Sequence, residues 1–130
     1  MTIIAAYVPR PEGLAALDKA LEIATRRKER LIVVNASPGG HSEDDSMADA
    51  AEIERLEDML SKSGADVELK QFVRGKSAVV EIEQLVDSEN ASLLIIGLRK
   101  RSAVGKLILG SVAQDLLMNA SCPVLCVKAA

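Results

Sequence analysis

Two kinds of hydrophobic spacing alternate along this chain. Thr2–Val8 (TIIAAYV), Arg30–Ala36 (RLIVVNA) and Ser92–Ile96 (SLLII) are almost continuously apolar, the pattern of strands buried on both faces. Elsewhere apolar residues recur at three- and four-residue intervals: Leu14, Leu17, Leu21 and Ala24 within Pro11–Arg27, and Ile53, Leu56, Met59 and Leu60 within Met47–Ser63. Val79, Ile82, Leu85 and Val86 repeat the pattern after Gly75. Such spacing lays one apolar stripe along a helix. Gly64 is placed to end the second helix, since glycine readily takes the left-handed conformation of a C-terminal cap. Asp66–Val73 (DVELKQFV) alternates instead, which predicts a half-exposed strand at a sheet edge. Beyond Gly110 and Ser111, a fourth helix carries Val112, Leu116 and Leu117, and Pro123–Lys128 supplies the last strand.

Strands alternating with helices require right-handed crossovers, which place helices on both faces of one parallel sheet. The expected architecture is a doubly wound, Rossmann-like α/β fold with five parallel strands. A length of 130 residues suits a single domain over 1–130. In such sheets ligands bind beyond the carboxyl ends of the strands, where the winding direction switches. The ends of the first, second and fourth strands form the expected lip.

Composition narrows the function. With 48% hydrophobic and 27% charged residues, the chain has the balance of an ordinary globular domain. Phe72 and Tyr7 are its aromatics, leaving little on which single-stranded nucleic acid would stack. A formal charge of −3 offers no attraction to DNA or an anionic membrane. No apolar run reaches the roughly 20 residues of a membrane span, and the N-terminus lacks a secretory pattern. A cytoplasmic protein with neither nucleic-acid nor membrane partner is expected. Cys122 and Cys126 would share one face of the last strand roughly 13 Å apart, beyond disulfide reach, and read as buried thiols.

Catalytic constellations are thin. His41 is the single histidine and lies in the polar run Ser37–Ser46 beside Glu43, Asp44 and Asp45, which reads as a surface loop. A Ser/His/Asp or Cys/His arrangement would need that same histidine as its base. Gly75-Lys76-Ser77 looks like the end of a phosphate-binding P-loop, but Lys70 stands where the earlier glycine belongs, so it reads as a helix start. The acidic run Glu52–Asp58 is a solvated helix face.

The informative segment joins the fourth strand to the fourth helix. Gly97, Lys100, Gly110 and Ser111 form G-x₂-K-x₉-G-S. Gly97 is expected to turn the backbone sharply, Gly110 to admit an anion closely, and Ser111 to offer a hydroxyl and helix-start amides. A phosphate would meet the positive end of the helix dipole there, supplemented by Arg99, Lys100, Arg101 and Lys106.

Ile95–Val127 (IIGLRKRSAVGKLILGSVAQDLLMNASCPVLCV) resembles the universal stress protein family, whose signature is G-x₂-G-x₉-G-[ST] followed by a helix and a C-P-V-x-x-V strand. The order of elements is similar over nearly the whole chain. The resemblance implies an adenine-nucleotide-hydrolase-like sheet of strand order 3-2-1-4-5, a homodimer, and a role in stress response or signalling. In one branch of the family it implies bound ATP or AMP, with Mg beside the phosphates and at most weak ATP hydrolysis. Carried over residue by residue, Gly97, Arg99, Lys100, Gly110, Ser111 and Val112 would surround phosphates and ribose, while Tyr7, Val8 and Ala36 would line the base. Two positions depart from the nucleotide-binding pattern: Lys100 replaces the second glycine, and Val8, followed by Pro9, replaces an aspartate that contacts the adenosine. A nucleotide-free dimeric interaction module is therefore the alternative. The last strand, through Pro123, Val124, Leu125, Cys126 and Val127, would be an apolar sheet edge and the expected dimer contact.

Overall fold

The apolar runs become the inner strands of one sheet in this computed structural model, which describes residues 1–36, 49–72, 78–100, 107–108 and 110–129. The strands are β1 (Thr2–Ala6), β2 (Arg30–Ala36), β3 (Val67–Phe72), β4 (Leu93–Lys100), β5 (Leu107–Ile108) and β6 (Val124–Lys128). Five of them run parallel in the order β3-β2-β1-β4-β6, the expected doubly wound order. The two-residue β5, which no periodicity marks, lies antiparallel against Arg99 and Lys100 at the tip of β4. Four helices connect the strands: α1 (Pro11–Arg27), α2 (Ala50–Lys62), α3 (Ala78–Ser88) and α4 (Ser111–Asn119). None is long and apolar enough to cross a membrane among the described residues.

Alternation along the strands sorts the core into two layers. Ile3, Ala5, Tyr7, Leu31 and Val33 pack with Ala16, Leu17 and Ala20 of α1 and with Leu56 and Leu60 of α2. Ile4, Ile32, Val34, Leu94 and Ile96 pack instead with Ile82, Leu85 and Val86 of α3 and Leu116 of α4. Each fully buried valine, leucine or isoleucine among them contributes roughly 1.5–3 kcal/mol.

The helix stripes are narrower than their spacing suggests. Leu14 (47% exposed), Met59 (38%) and Leu117 (40%) lie largely outside the core. In α1 the small residues Ala16, Ala20 and Ala24 face the sheet, so the contact line runs along them and leaves Leu14 to one side. Asp49 caps α2 by accepting the Glu52 N–H at 2.9 Å, and Gly64 takes a φ of 75° as expected of a terminator. Cys122 precedes β6 and Cys126 lies within it; both are free and half-buried rather than fully enclosed, against the α3–α4 layer.

The amino end of the sheet is tied across several strands. Arg30 of β2 pairs with Glu68 of β3 and, at 3.2 Å, with Glu89 beyond α3. Ser92 donates its N–H to the Thr2 carbonyl at 2.8 Å, and its hydroxyl lies 3.0 Å from the Glu29 carboxylate. His41 with the Ser37–Ser46 run, Gly75, Lys76, Ser77, Arg101, Gly105 and Lys106 lie outside the described residues, as do the side chains of Ala36, Lys100 and Ser111.

Candidate functional site

β1 and β4 are parallel neighbours, with Ala5 opposite Ile95. The chain leaves β1 toward β2 on one side, while β6 lies on the far side of β4. Their carboxyl ends are therefore the switch point at which this class of sheet binds ligands. Just past β1, the Val8 carbonyl accepts the Arg10 N–H at 2.8 Å, closing a tight turn around Pro9. Proline presets the backbone angle such a turn uses. Pro11 then opens α1 at the first helical position, where its missing N–H costs nothing.

That first turn is pressed onto both strands through two glycines. A Cβ on Gly13 would lie 1.8 Å from the Val8 carbonyl oxygen, and one on Gly97 would lie 2.1 Å from the Glu12 carbonyl oxygen. Gly97 consequently does not turn the chain, as the sequence suggested. It sits within β4 opposite Val127, and the strand runs on to Lys100 because β5 and β6 supply its hydrogen-bond partners. What glycine provides here is room for a helix backbone.

The packing carries Glu12 into the lip. This residue is 8% exposed, and its carboxylate lies 2.8 Å from Arg10 Nε and 3.7 Å from Arg99 Nε. Arg99 itself is half-exposed, with 51% of its side-chain surface accessible, so its guanidinium faces both the buried carboxylate and solvent. Lys100 continues the ladder opposite Leu107, an extended position that makes no demand for glycine. Ile108 pairs with Arg99, which brings the start of α4 near that arginine two residues later. Gly110 is the helix N-cap at φ −62°, ψ 161°, with no side-chain cap, and its carbonyl accepts the Gln114 N–H at 2.8 Å. A Cβ there would meet open space. The first amides of α4 thus point outward without an intrahelical acceptor.

The sequence-derived residues divide between two sides. Gly97, Arg99, Lys100, Gly110 and the backbone of Ser111 gather along β4 and α4, with Val8 and Ala36 at neighbouring strand ends. Val112 packs into the α3–α4 layer, whereas Tyr7 belongs to the α1–α2 layer, so the sheet stands between them. Tyr7 instead borders a cleft of about 400 Å³ with Pro9, Leu14, Leu56 and Met59, beside Glu52 and Arg55. Burial, then the charge of Glu52, raises the Tyr7 hydroxyl above its ordinary pKa, while Arg55 opposes the shift.

Four residues escaped sequence reasoning. Glu12 reads as an ordinary first-turn acid, Arg10 as a loop cation and Gly13 as a neutral helix glycine. Asn35 was hidden inside an apolar run. It is fully buried, donates Nδ2–H to the Tyr7 carbonyl at 3.0 Å and accepts from Gln71 Nε2 at 3.1 Å, pinning the end of β1 to β3 across β2. A lone amide in a buried strand was the available signal.

Comparison with known proteins agrees with this architecture. Residues 1–128 match the model of the universal stress protein family. A universal stress protein of Mycolicibacterium smegmatis is 43% identical over 126 residues, covering 97% of this chain and 96% of that protein. The solved structure of a universal stress protein from Archaeoglobus fulgidus has a TM-score of 0.76 at 35% identity, over 98% of both chains. Another from the same organism, in complex with dAMP, has a TM-score of 0.66 at 30% identity, also over 98% of both chains. The chain belongs to the universal stress protein family.

Proposed function

We propose that this protein binds an adenine nucleotide, ATP or AMP, at the lip between β1 and β4 and acts as a cytoplasmic homodimer in stress signalling rather than as an enzyme. The observation that carries this reading is that Arg99 and, two residues beyond its ladder partner Ile108, the start of α4 at Gly110 both lie at the switch point. Outward amides and a guanidinium are the donor set for a phosphate. The complex of the Archaeoglobus fulgidus relative with dAMP supports the same ligand class. Gly97, Arg99, Lys100, Gly110, Ser111 and Val112 would surround phosphate and ribose, with Val8 and Ala36 toward the base. Tyr7, which packs in the α1–α2 layer, would line the base with them. Any Mg²⁺ would arrive with the phosphates.

Dimerisation would use β6, which pairs with β4 on one edge and exposes Leu125 to 36%. A strand edge with apolar flanks invites a two-fold partner.

Calorimetric titration of AMP and ATP into the protein and into Gly110→Ala tests the ligand. Alanine fits the N-cap backbone angles and its methyl meets only open space, so the variant folds normally and any loss of binding reports crowding of the ligand. Saturable binding weakened at least tenfold by the variant is expected, and Val8→Asp should strengthen binding by restoring a carboxylate for the adenosine. Absence of heat up to millimolar nucleotide would discard this reading. It would favour the nucleotide-free dimeric module, which the Glu12 carboxylate already seated against Arg99 also supports.

A further inference from the structure

The Arg10–Glu12–Arg99 cluster sets two guanidiniums around one nearly buried carboxylate. The Glu12 backbone rests on Gly97 with no space for a methyl group, so the first turn of α1 lies directly against β4. Arg10 is the closer partner of Glu12, at 2.8 Å, and Arg99 the looser one, at 3.7 Å. An anion reaching Arg99 from the solvent side therefore meets a cation whose charge is already partly balanced. It also comes within a few ångströms of a fixed negative charge, screened little because that charge is nearly buried.

Resting on the nucleotide reading above, we propose that Glu12 is a built-in rival to the ligand's phosphates and sets the ligand charge that the site accepts. A phosphate monoester brings about −1.5 to −2 charge against that carboxylate. A triphosphate brings more, and its repulsion from Glu12 grows accordingly. The class selected is the adenosine monophosphates, over triphosphates. Glu12 is a specificity-determining residue here, acting through Arg99.

The test is a charge series on the full chain and on Glu12→Gln, which keeps the shape of the side chain. Adenosine, AMP, ATP and inorganic tripolyphosphate are titrated separately. Wild type should prefer AMP to ATP. In the variant, adenosine affinity should be unchanged, AMP affinity should rise about threefold, and ATP and tripolyphosphate affinity should each rise about tenfold. Glu12→Ala, which also removes the charge, should preserve that order if glutamine disturbs the turn. The same factor for all four probes, or weaker ATP binding, would overturn the proposal and make Glu12 a residue that merely orients its arginines. If nucleosides and nucleotides fail to bind either protein while tripolyphosphate still binds the variant more tightly, the rivalry stands and the nucleotide reading falls. If no probe binds either protein, both fall.

Discussion

Replacing Gly13 with alanine sets two physical rules against each other. Within a helix, glycine to alanine ordinarily gains about 1 kcal/mol, because glycine loses more backbone freedom on folding. Here the new methyl would lie 1.8 Å from the Val8 carbonyl oxygen and 2.7 Å from the Val8 nitrogen, where ordinary contact begins at 3.4 Å. Relief demands roughly 1.6 Å of movement between two backbone segments, the difference between those contact distances. Neither can yield cheaply. The Val8 carbonyl is held by the Arg10 N–H at 2.8 Å, and Tyr7 N–H is bonded to the Val34 carbonyl at 2.8 Å. Overpacking of this sort costs about 3 kcal/mol, at the upper end of the usual range because the clash is with backbone. The net destabilisation is then about 2 kcal/mol, or about 8 °C in melting temperature for a domain of this size. Urea denaturation followed by far-ultraviolet circular dichroism measures it. Gly110→Ala, with open space at its methyl, is the control and should stay within about 0.5 kcal/mol of wild type. A Gly13→Ala protein as stable as wild type, or more so, would show that helix propensity wins and that α1 is not clamped to β1.

Asn35→Ala should cost about 1–3 kcal/mol in the same urea assay, because it strips partners from the buried Tyr7 carbonyl and from Gln71; a neutral result would mean that water replaces the amide. Leu125→Glu should yield a monomer by light scattering where wild type gives a dimer, since a charge on the β6 flank opposes two-fold pairing; an unchanged mass would move the interface elsewhere. Burial raises the pKa of both Cys122 and Cys126, so at pH 8 both should label more slowly than cysteine in an unfolded peptide, with the difference abolished by denaturant. A raised folded-state pKa favours the neutral thiol. The associated stability is present below the ordinary thiol pKa and is lost as pH rises through the higher folded value; labelling as fast as the peptide would contradict that environment.

Local patterns were legible where local physics decides them. Pro11 at a helix start and Gly64 at a helix end bounded their elements because each acts through its own backbone angles. Continuous apolar runs identified β1, β2 and β4 as inner strands for the same reason. The misreadings arose where a distant segment decides. Gly97 looked like a strand breaker, yet Val127 and the β5 residues keep β4 extended past it. Leu14 and Met59 carry the right spacing for a core stripe, but spacing does not say how closely a helix approaches the sheet, and the alanines of α1 set that approach. At the lip, Arg99 and Gly110 could be found from their motif. Glu12 could not, because its significance comes from an arginine on another strand.

The ties among Arg30, Glu68, Glu89, Ser92 and Glu29 all gather at the foot of the sheet, far from where a ligand would sit. They secure that end of the strands without drawing on any side chain at the opposite rim. Val8 and Lys100 lie at that rim, so their side chains can be changed without touching these ties. For engineering, the rim is the place to rewrite recognition and the foot is the place to leave alone.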